Sequence, residues 1–182
     1  MEKNFKEKLA NVEAMVFDVD GVLTDGTIIP LVDGDFIRCY NAKDGYALSY
    51  AVKHGWKVCI ISGGYGPTLV SRMERLGIKY LYVNCMDKIA ALREFSAKTG
   101  VALENMMFMG DDIPDLECLR AVGVPVCPAD AASEIVEASC YVSQFAGGRG
   151  CVRDVVEQVL RSHNEWALDS KGTIGDPNVA SR

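Results

Sequence analysis

Asp18 and Asp20 stand at the end of an apolar run that begins at Ala14. Side chains two apart in an extended strand point to the same side, so the two carboxylates lie close together. Like charges at that distance are costly unless a cation or a proton lies between them. Mg²⁺ is a natural partner, because it takes oxygen ligands and is usually held by carboxylates together with phosphate and water. The spacing therefore predicts metal-dependent chemistry on a phosphate group.

Further polar residues stand at the corresponding place after the later apolar runs. Ser62 ends the run WKVCIIS, Lys88 begins the helical stretch after YLYVN, and Asp111 and Asp112 follow MMFMG, with Asp115 one turn further. Ligands of open α/β sheets bind beyond the carboxyl ends of the strands. We therefore expect these side chains to converge with the first acidic pair.

The acidic residues divide between metal binding and phosphoryl transfer. Asp18 and Asp111 would hold Mg²⁺. Asp18 is also free to attack phosphorus and form an aspartyl-phosphate. Asp20 would protonate the leaving alkoxide and then deprotonate the attacking water.

The remaining candidates would bind the phosphate or support the site. Ser62, Lys88 and backbone N–H groups such as that of Gly63 would bind phosphate oxygens. Taken singly, a serine often caps a helix and a helix lysine is usually solvated. One member of the Asp111–Asp112 pair is expected to cap the next helix, and Asp115 to hold Lys88 or a loop in place. Convergence at one edge of the sheet is what favours the chemical interpretation.

Strand-like and helix-like segments alternate along the chain with short links. This pattern predicts an α/β fold with a mostly parallel sheet and helices on both faces. Asp33-Gly34, between two extended runs, predicts a hairpin over about residues 27–40. Asp44 is expected to cap a helix that stops at Gly55.

Length and composition indicate one soluble domain. The 182 residues, 49% of them hydrophobic, suffice for about one domain, expected over residues 1–166 with a polar, disordered tail at 167–182. Asp and Glu number 25 against 19 Lys and Arg, which argues against a nucleic-acid partner. No apolar run is long enough for a membrane span, and the N-terminal segment has no apolar signal region. Seven cysteines without a CxxC spacing are typical of reduced thiols, so we expect a cytoplasmic protein.

DVDGVLT, Ser62, Lys88 and GDDIPD resemble, in this order, the four motifs of the haloacid dehalogenase superfamily of phosphotransferases. The resemblance implies a Rossmann-like fold with Asp18 as nucleophile and Asp20 as acid and base. It also implies a Mg²⁺ ion held by Asp18, the backbone carbonyl of Asp20, and Asp111. The hairpin stands where larger members carry a cap domain, so the chain is expected to be cap-less and to close its site by oligomerising.

Three further stretches, CYNAKDGYAL, ISGGYGP and FAGGRGCVRDVVEQVL, resemble the 3-deoxy-D-manno-octulosonate 8-phosphate (KDO 8-phosphate) phosphatases. This resemblance implies hydrolysis of KDO 8-phosphate in lipopolysaccharide precursor synthesis. It also implies a homotetramer in which hairpins associate and a neighbouring subunit completes the site. In the last stretch Cys151 stands where the family usually has alanine and Asp154 where it has glutamate, whereas Arg153 and the glycines are kept.

A substrate of this family carries a carboxylate far from its phosphate, and that end needs a positive partner. Arg75, reaching in from a neighbouring subunit, is the first candidate, followed by Lys43 and Arg149. The rival substrate is the nine-carbon analogue, 2-keto-3-deoxy-nononate 9-phosphate. Enzymes for it place a glutamate just after the Ser/Thr-Gly of the second motif, where this chain has Gly64.

Two other classes of protein are open alternatives. A receiver domain of a signalling system also has an acidic pair, a serine or threonine and a lysine, but its phosphoacceptor follows a later strand than its acidic pair. A non-catalytic, oligomerising relative of the phosphatases is expected to lose motif residues, all of which are present here. Phosphate release with Mg²⁺ would separate both from the main hypothesis.

Overall fold

The structure is a computed structural model, and it describes residues 4–167. Its central sheet consists of six parallel strands. The hairpin strands are numbered β2 (Ile29–Pro30) and β3 (Phe36–Ile37). The strands of the central sheet are β1 (Ala14–Phe17), β4 (Lys57–Ile61), β5 (Tyr80–Tyr82), β6 (Met106–Met109), β7 (Val124–Cys127) and β8 (Tyr141–Val142). Their order across the sheet is β5-β4-β1-β6-β7-β8, and every neighbouring pair is parallel. The predicted α/β fold is confirmed.

Helices cover both faces of this sheet. The α-helices of the described chain are α1 (Phe5–Leu9), α2 (Ala42–Lys53), α3 (Pro67–Arg75), α4 (Lys88–Thr99), α5 (Leu116–Ala121), α6 (Ser133–Ala138) and α7 (Cys151–Ser162). Helices α1, α2, α3 and α7 contribute to the apolar core on one face, and α4, α5 and α6 to the core on the other. Between residues 4 and 167, no helix combines the length and the apolar character needed to cross a membrane.

Strand β1 is buried on both sides, which explains its continuous apolar sequence. Met15 and Phe17 pack into one core and Ala14 and Val16 into the other, as alternation along a strand requires. Strand β1 lies between β4 and β6 in the sheet. The carboxyl ends of these three strands therefore adjoin, and the loops that follow them meet at one edge.

A two-stranded hairpin stands beside this edge. It pairs β2 (Ile29–Pro30) with β3 (Phe36–Ile37) in antiparallel fashion, inside the predicted range of 27–40. Gly34 at its turn has a φ of 87°, the left-handed conformation that glycine adopts without strain. The tail predicted at 167–182 lies, from residue 168 onward, outside the described residues.

The prediction that Asp44 caps α2 is wrong. The helix begins at Ala42, and its cap is Asn41, whose side chain accepts the backbone N–H of Lys43 at 2.8 Å. Asp44 lies inside the first turn, is fully buried, and accepts the backbone N–H of Arg153 in α7 at 2.7 Å. A partner more than a hundred residues away is invisible to a local capping pattern.

Candidate active site

The loops after β1, β4 and β6 and the start of α4 enclose a cavity of about 380 Å³. The residues predicted from the sequence to act on phosphate line it together. They are Asp18, Asp20, Ser62, Gly63, Lys88, Asp111, Asp112 and Asp115. The structure thus brings together side chains that are up to about a hundred residues apart in the sequence.

Lys88 lies at the centre of the acidic residues. Its Nζ is 2.7 Å from Asp115 Oδ1 and 3.1 Å from Asp18 Oδ1, and its side chain is only 7% exposed. The other oxygen of Asp115 accepts the backbone N–H of Asp111 at 3.1 Å. Asp115 therefore positions both the lysine and the loop that carries Asp111.

The site carries more negative than positive charge. Carboxylate oxygens of Asp18, Asp111 and Asp115 lie within 4.8 Å of one another, and Lys88 is the cation among them. Asp111 Oδ1 is buried and has no hydrogen-bond partner among the described residues. When all three carboxyl groups are ionised, they and the ammonium of Lys88 leave two negative charges, which a divalent cation would balance. The donor set, all oxygen, fits Mg²⁺.

The pKa values of these carboxyls reflect the same imbalance. Burial, together with the charge of Asp115, raises the pKa of Asp18 to about 8, although Lys88 opposes the shift. Burial and the charge of Asp115 likewise raise the pKa of Asp111 to about 7. Burial disfavours the charge on Lys88, but Asp18 and Asp115 outweigh it and raise the pKa of the lysine. A cation between Asp18 and Asp111 would favour their charged forms.

Ser62 is buried beside the cavity at the end of β4. Its Oγ accepts the backbone N–H of Gly64 at 3.0 Å, which fixes the hydroxyl on the turn that follows the strand. Because the oxygen accepts this bond, its hydrogen is available for a phosphate oxygen. Gly63, between the two, also lines the cavity.

Arg38, which sequence reasoning missed, pairs with Asp20. Its Nε lies 2.8 Å from Asp20 Oδ1 and its Nη2 lies 3.1 Å from Asp20 Oδ2, so the ion pair is bidentate. The residue stands directly after β3, in the hairpin. The available sequence signal was a lone arginine between Ile37 and Cys39, close to the first motif only through the fold.

The glycine-rich loop before α7 is hydrogen-bonded to the loop that follows Asp18 and Asp20. Gly148 N–H donates to the carbonyl of Val22 at 2.9 Å, and the Cys151 thiol donates to the same carbonyl at 3.3 Å. Asp154 accepts hydroxyl bonds from Tyr141 and Ser143, at 2.8 and 2.7 Å. The residues that depart from the usual tail motif, Cys151 and Asp154, are thus both accommodated with hydrogen bonds.

Other predicted residues lie outside the cavity or face solvent. Arg75 and Lys43 are exposed, and neither they nor Arg149 lines the cavity within the described chain. Arg149 instead pairs with Asp25 at 3.1 Å. Asp112 lines the cavity but is exposed. Neither the helical turn that follows it nor α5 has a side-chain cap, so the prediction that Asp111 or Asp112 caps the next helix is wrong.

Comparison with known proteins decides the family. A family described as haloacid dehalogenase-like hydrolase matches residues 75–152. The 3-deoxy-D-manno-octulosonate 8-phosphate phosphatase of Escherichia coli (strain K12) is 35% identical over 153 residues, covering 84% of this chain and 81% of the relative. The chain belongs to the KDO 8-phosphate phosphatase family. The predictions of the family and of a hydrolase of the phosphatase class are thereby confirmed.

Solved structures of KDO 8-phosphate phosphatases share the fold. The enzyme from Yersinia pestis has a TM-score of 0.85 and 32% identity, covering 88% of this chain and 87% of that one. The enzyme from Moraxella catarrhalis, in complex with a magnesium ion, a phosphate ion and KDO, has a TM-score of 0.84 and 30% identity, covering 88% of this chain and 93% of that one.

Proposed function

We propose that this chain hydrolyses KDO 8-phosphate to KDO and phosphate, with Mg²⁺ as cofactor and Asp18 as nucleophile. The observation that carries the proposal is the position of Lys88 between Asp18 and Asp115, in a cavity that Asp111 also lines. This arrangement leaves room for a dication and a phosphate beside one nucleophilic carboxylate. The choice of KDO 8-phosphate as the substrate rests on the relatives, which are KDO 8-phosphate phosphatases.

Mg²⁺ would be held by the carboxylates of Asp18 and Asp111 and by the backbone carbonyl of Asp20. When bound there, it offsets the negative charge of the phosphate next to the Asp18 carboxylate. Lys88, the Ser62 hydroxyl and the N–H of Gly63 bind the non-bridging phosphate oxygens.

The first step transfers the phosphoryl group to the protein. Asp18 attacks phosphorus, and the bond from phosphorus to the sugar oxygen breaks as the bond to Asp18 forms. Asp20 gives its proton to the departing oxygen, so that the sugar leaves as an alcohol.

The second step releases phosphate. A water molecule attacks the same phosphorus, and Asp20, now a carboxylate, takes a proton from it. The bond between Asp18 and phosphorus then breaks, which returns both carboxyl groups to their starting states.

Substrate choice rests on the second-motif loop and on a neighbouring subunit. Gly64 carries no acid, which favours the eight-carbon sugar acid over the nine-carbon analogue. The substrate carboxylate is assigned to Arg75 of a neighbour, with Lys43 and Arg149 as weaker candidates.

A homotetramer that associates through the hairpin would bring such a neighbour to the site. Ile29, Val32 and Ile37 of the hairpin are exposed apolar side chains, as an association surface requires. We also propose that the protein acts in the cytoplasm, in the synthesis of lipopolysaccharide precursors. This part of the proposal rests on the family resemblance.

The test is inorganic phosphate release from KDO 8-phosphate, the nine-carbon analogue and simple sugar phosphates, with Mg²⁺ and with a chelator. We expect Mg²⁺-dependent release with a preference for KDO 8-phosphate. Equal rates on all substrates would remove the substrate assignment, and full activity in the chelator would remove the cofactor. Release from none of them would instead favour a non-catalytic oligomerising module.

A further inference from the structure

Arg38 is held in one position by several contacts. Besides its two bonds to Asp20, its Nη1 lies 3.4 Å from the carbonyl oxygen of Tyr65, and its guanidinium lies over the Phe36 ring at 5.5 Å. The Arg38 side chain is 2% exposed, whereas that of Asp20 is 22% exposed. The arginine is therefore the buried, fixed partner, and the aspartate is the partner that opens to the cavity.

The turn of the hairpin that carries Arg38 is tied to α3. Asp35 accepts the backbone N–H of Thr68 at 3.3 Å and its hydroxyl at 3.2 Å. The same side chain accepts the backbone N–H of Phe36 at 2.8 Å. The strand before Arg38 and the loop after Ser62 thus form one connected unit around the ion pair.

Gly64 leaves the space that the ion pair occupies. A Cβ on Gly64 would lie 2.7 Å from Arg38 Nη2 and 2.9 Å from Asp20 Oδ2. Both distances are shorter than ordinary carbon contacts. The glycine of the second motif and the arginine of the hairpin therefore fit each other.

We propose that Arg38 is a positioning residue, which holds the Asp20 carboxylate in the orientation needed for proton transfer at the ester oxygen. The proposal rests on the function proposed above, in which Asp20 moves that proton. Arg38 does not line the cavity, so it acts through Asp20 and not on the substrate. A bidentate guanidinium fixes the plane of a carboxylate while leaving each oxygen a further lone pair. Without it, the Asp20 side chain would be free to change rotamer.

Substrates with different leaving groups distinguish a positioning role of Arg38 from a merely structural one. An alkyl phosphate such as KDO 8-phosphate needs a proton on its departing oxygen, whereas 4-nitrophenolate leaves without one. Rapid mixing with 4-nitrophenyl phosphate gives the rate of the first 4-nitrophenol burst, which reports phosphoryl transfer alone. Arg38→Ala and Arg38→Lys are compared with wild type on both substrates, with thermal unfolding as the check on folding.

We expect Arg38→Ala to lower kcat on the alkyl phosphate by about 10²-fold, within the range of general acid–base catalysis, with little change in KM. The burst rate with 4-nitrophenyl phosphate should stay close to wild type. Arg38→Lys should restore part of the activity, because lysine keeps the charge and loses the planar fork. Asp20→Asn should give the same contrast, and Arg93→Ala, on an exposed part of α4, should give none.

An equal fall on both substrates, or a raised KM with unchanged kcat, would overturn the positioning role. Full activity of Asp20→Asn on the alkyl phosphate would overturn the proton-transfer role of Asp20 and this proposal together. A different preferred alkyl phosphate would overturn only the substrate assignment, since the contrast can then be measured with that ester.

Discussion

The carboxylate of Asp44, in the first turn of α2, accepts the backbone N–H of Arg153, in the first turn of α7, at 2.7 Å. Asp44 thereby supplies an acceptor to a helix start whose own cap, Gly150, has no side chain. The loop that leads into helix α7 in turn is hydrogen-bonded to Val22, in the loop that follows Asp18. The KDG stretch after the hairpin and the glycine-rich stretch before α7 therefore act together: the first holds the start of α7, and the second holds the loop that follows Asp18.

Asp44→Asn should change how stability depends on pH. Burial raises the pKa of Asp44 from its ordinary value of 3.8, although the N–H groups of Arg153 and Gly150 oppose the shift. A raised pKa in the folded state means that the folded protein binds this proton more tightly than the unfolded chain. The contribution of Asp44 to stability must therefore grow as pH falls from the folded pKa towards 3.8.

Urea unfolding of wild type and Asp44→Asn at a series of pH values checks this. The free energy of unfolding of wild type minus that of the variant should become larger as the pH is lowered through this window. A difference between the two proteins that stays constant with pH would contradict the assignment.

Gly21→Ala should weaken Mg²⁺ binding. Gly21 has a φ of 93°, and a Cβ at this position would overlap the Asp111 carboxylate. The matched control is Gly55→Ala, because Gly55 has a φ of 87° and open space around its Cβ position. Calorimetric titration with Mg²⁺ should show weaker binding for Gly21→Ala than for Gly55→Ala. Equal affinities would mean that Asp111 is not a ligand.

Lys88→Met should destabilise the protein in the absence of Mg²⁺. Removing one partner of a buried ion pair leaves uncompensated charge, a loss of about 3–5 kcal/mol. Because the variant loses a positive charge among three carboxylates, Mg²⁺ should stabilise it more than it stabilises wild type. Urea unfolding with chelator and with Mg²⁺ measures both effects. Lys98→Met, on the exposed side of α4, should leave the free energy of unfolding nearly unchanged. An equally small effect of Lys88→Met would show that Lys88 does not balance the charge of the three carboxylates.

Gly64→Ala should disturb the ion pair between Arg38 and Asp20. Its backbone lies outside the left-handed region, so alanine adds a steric effect and no backbone strain. We expect slower turnover of an alkyl phosphate, with a smaller effect on the first burst from 4-nitrophenyl phosphate. Wild-type turnover in this variant would show that the pair tolerates displacement.

The sequence predicts most of the fold because its signals are local. Buried parallel strands have continuous apolar sequences, and Asp33-Gly34 marks a turn, so the sheet and the hairpin follow from neighbouring residues. The convergence of Asp18, Lys88 and Asp111 follows from one rule of sheet architecture. These predictions required no knowledge of individual side-chain contacts.

What the sequence does not predict depends on partners distant along the chain. Arg38 meets Asp20 across the hairpin, and Asp44 meets Arg153 across two helices. A local pattern assigned Asp44 to the nearest helix start, where Asn41 has the extended backbone that a cap requires. Only the packed structure distinguishes an aspartate that caps its own helix from one that accepts a backbone N–H of another helix.

Trapping the intermediate tests whether Asp18 forms a bond to phosphorus. Wild type mixed with KDO 8-phosphate and Mg²⁺ is quenched in acid within the first turnover and digested for mass spectrometry. We expect a phosphoryl group on the peptide that contains Asp18, and none in Asp18→Asn. Phosphate release by wild type without that modified peptide, or full activity in Asp18→Asn, would contradict the role of Asp18 as nucleophile.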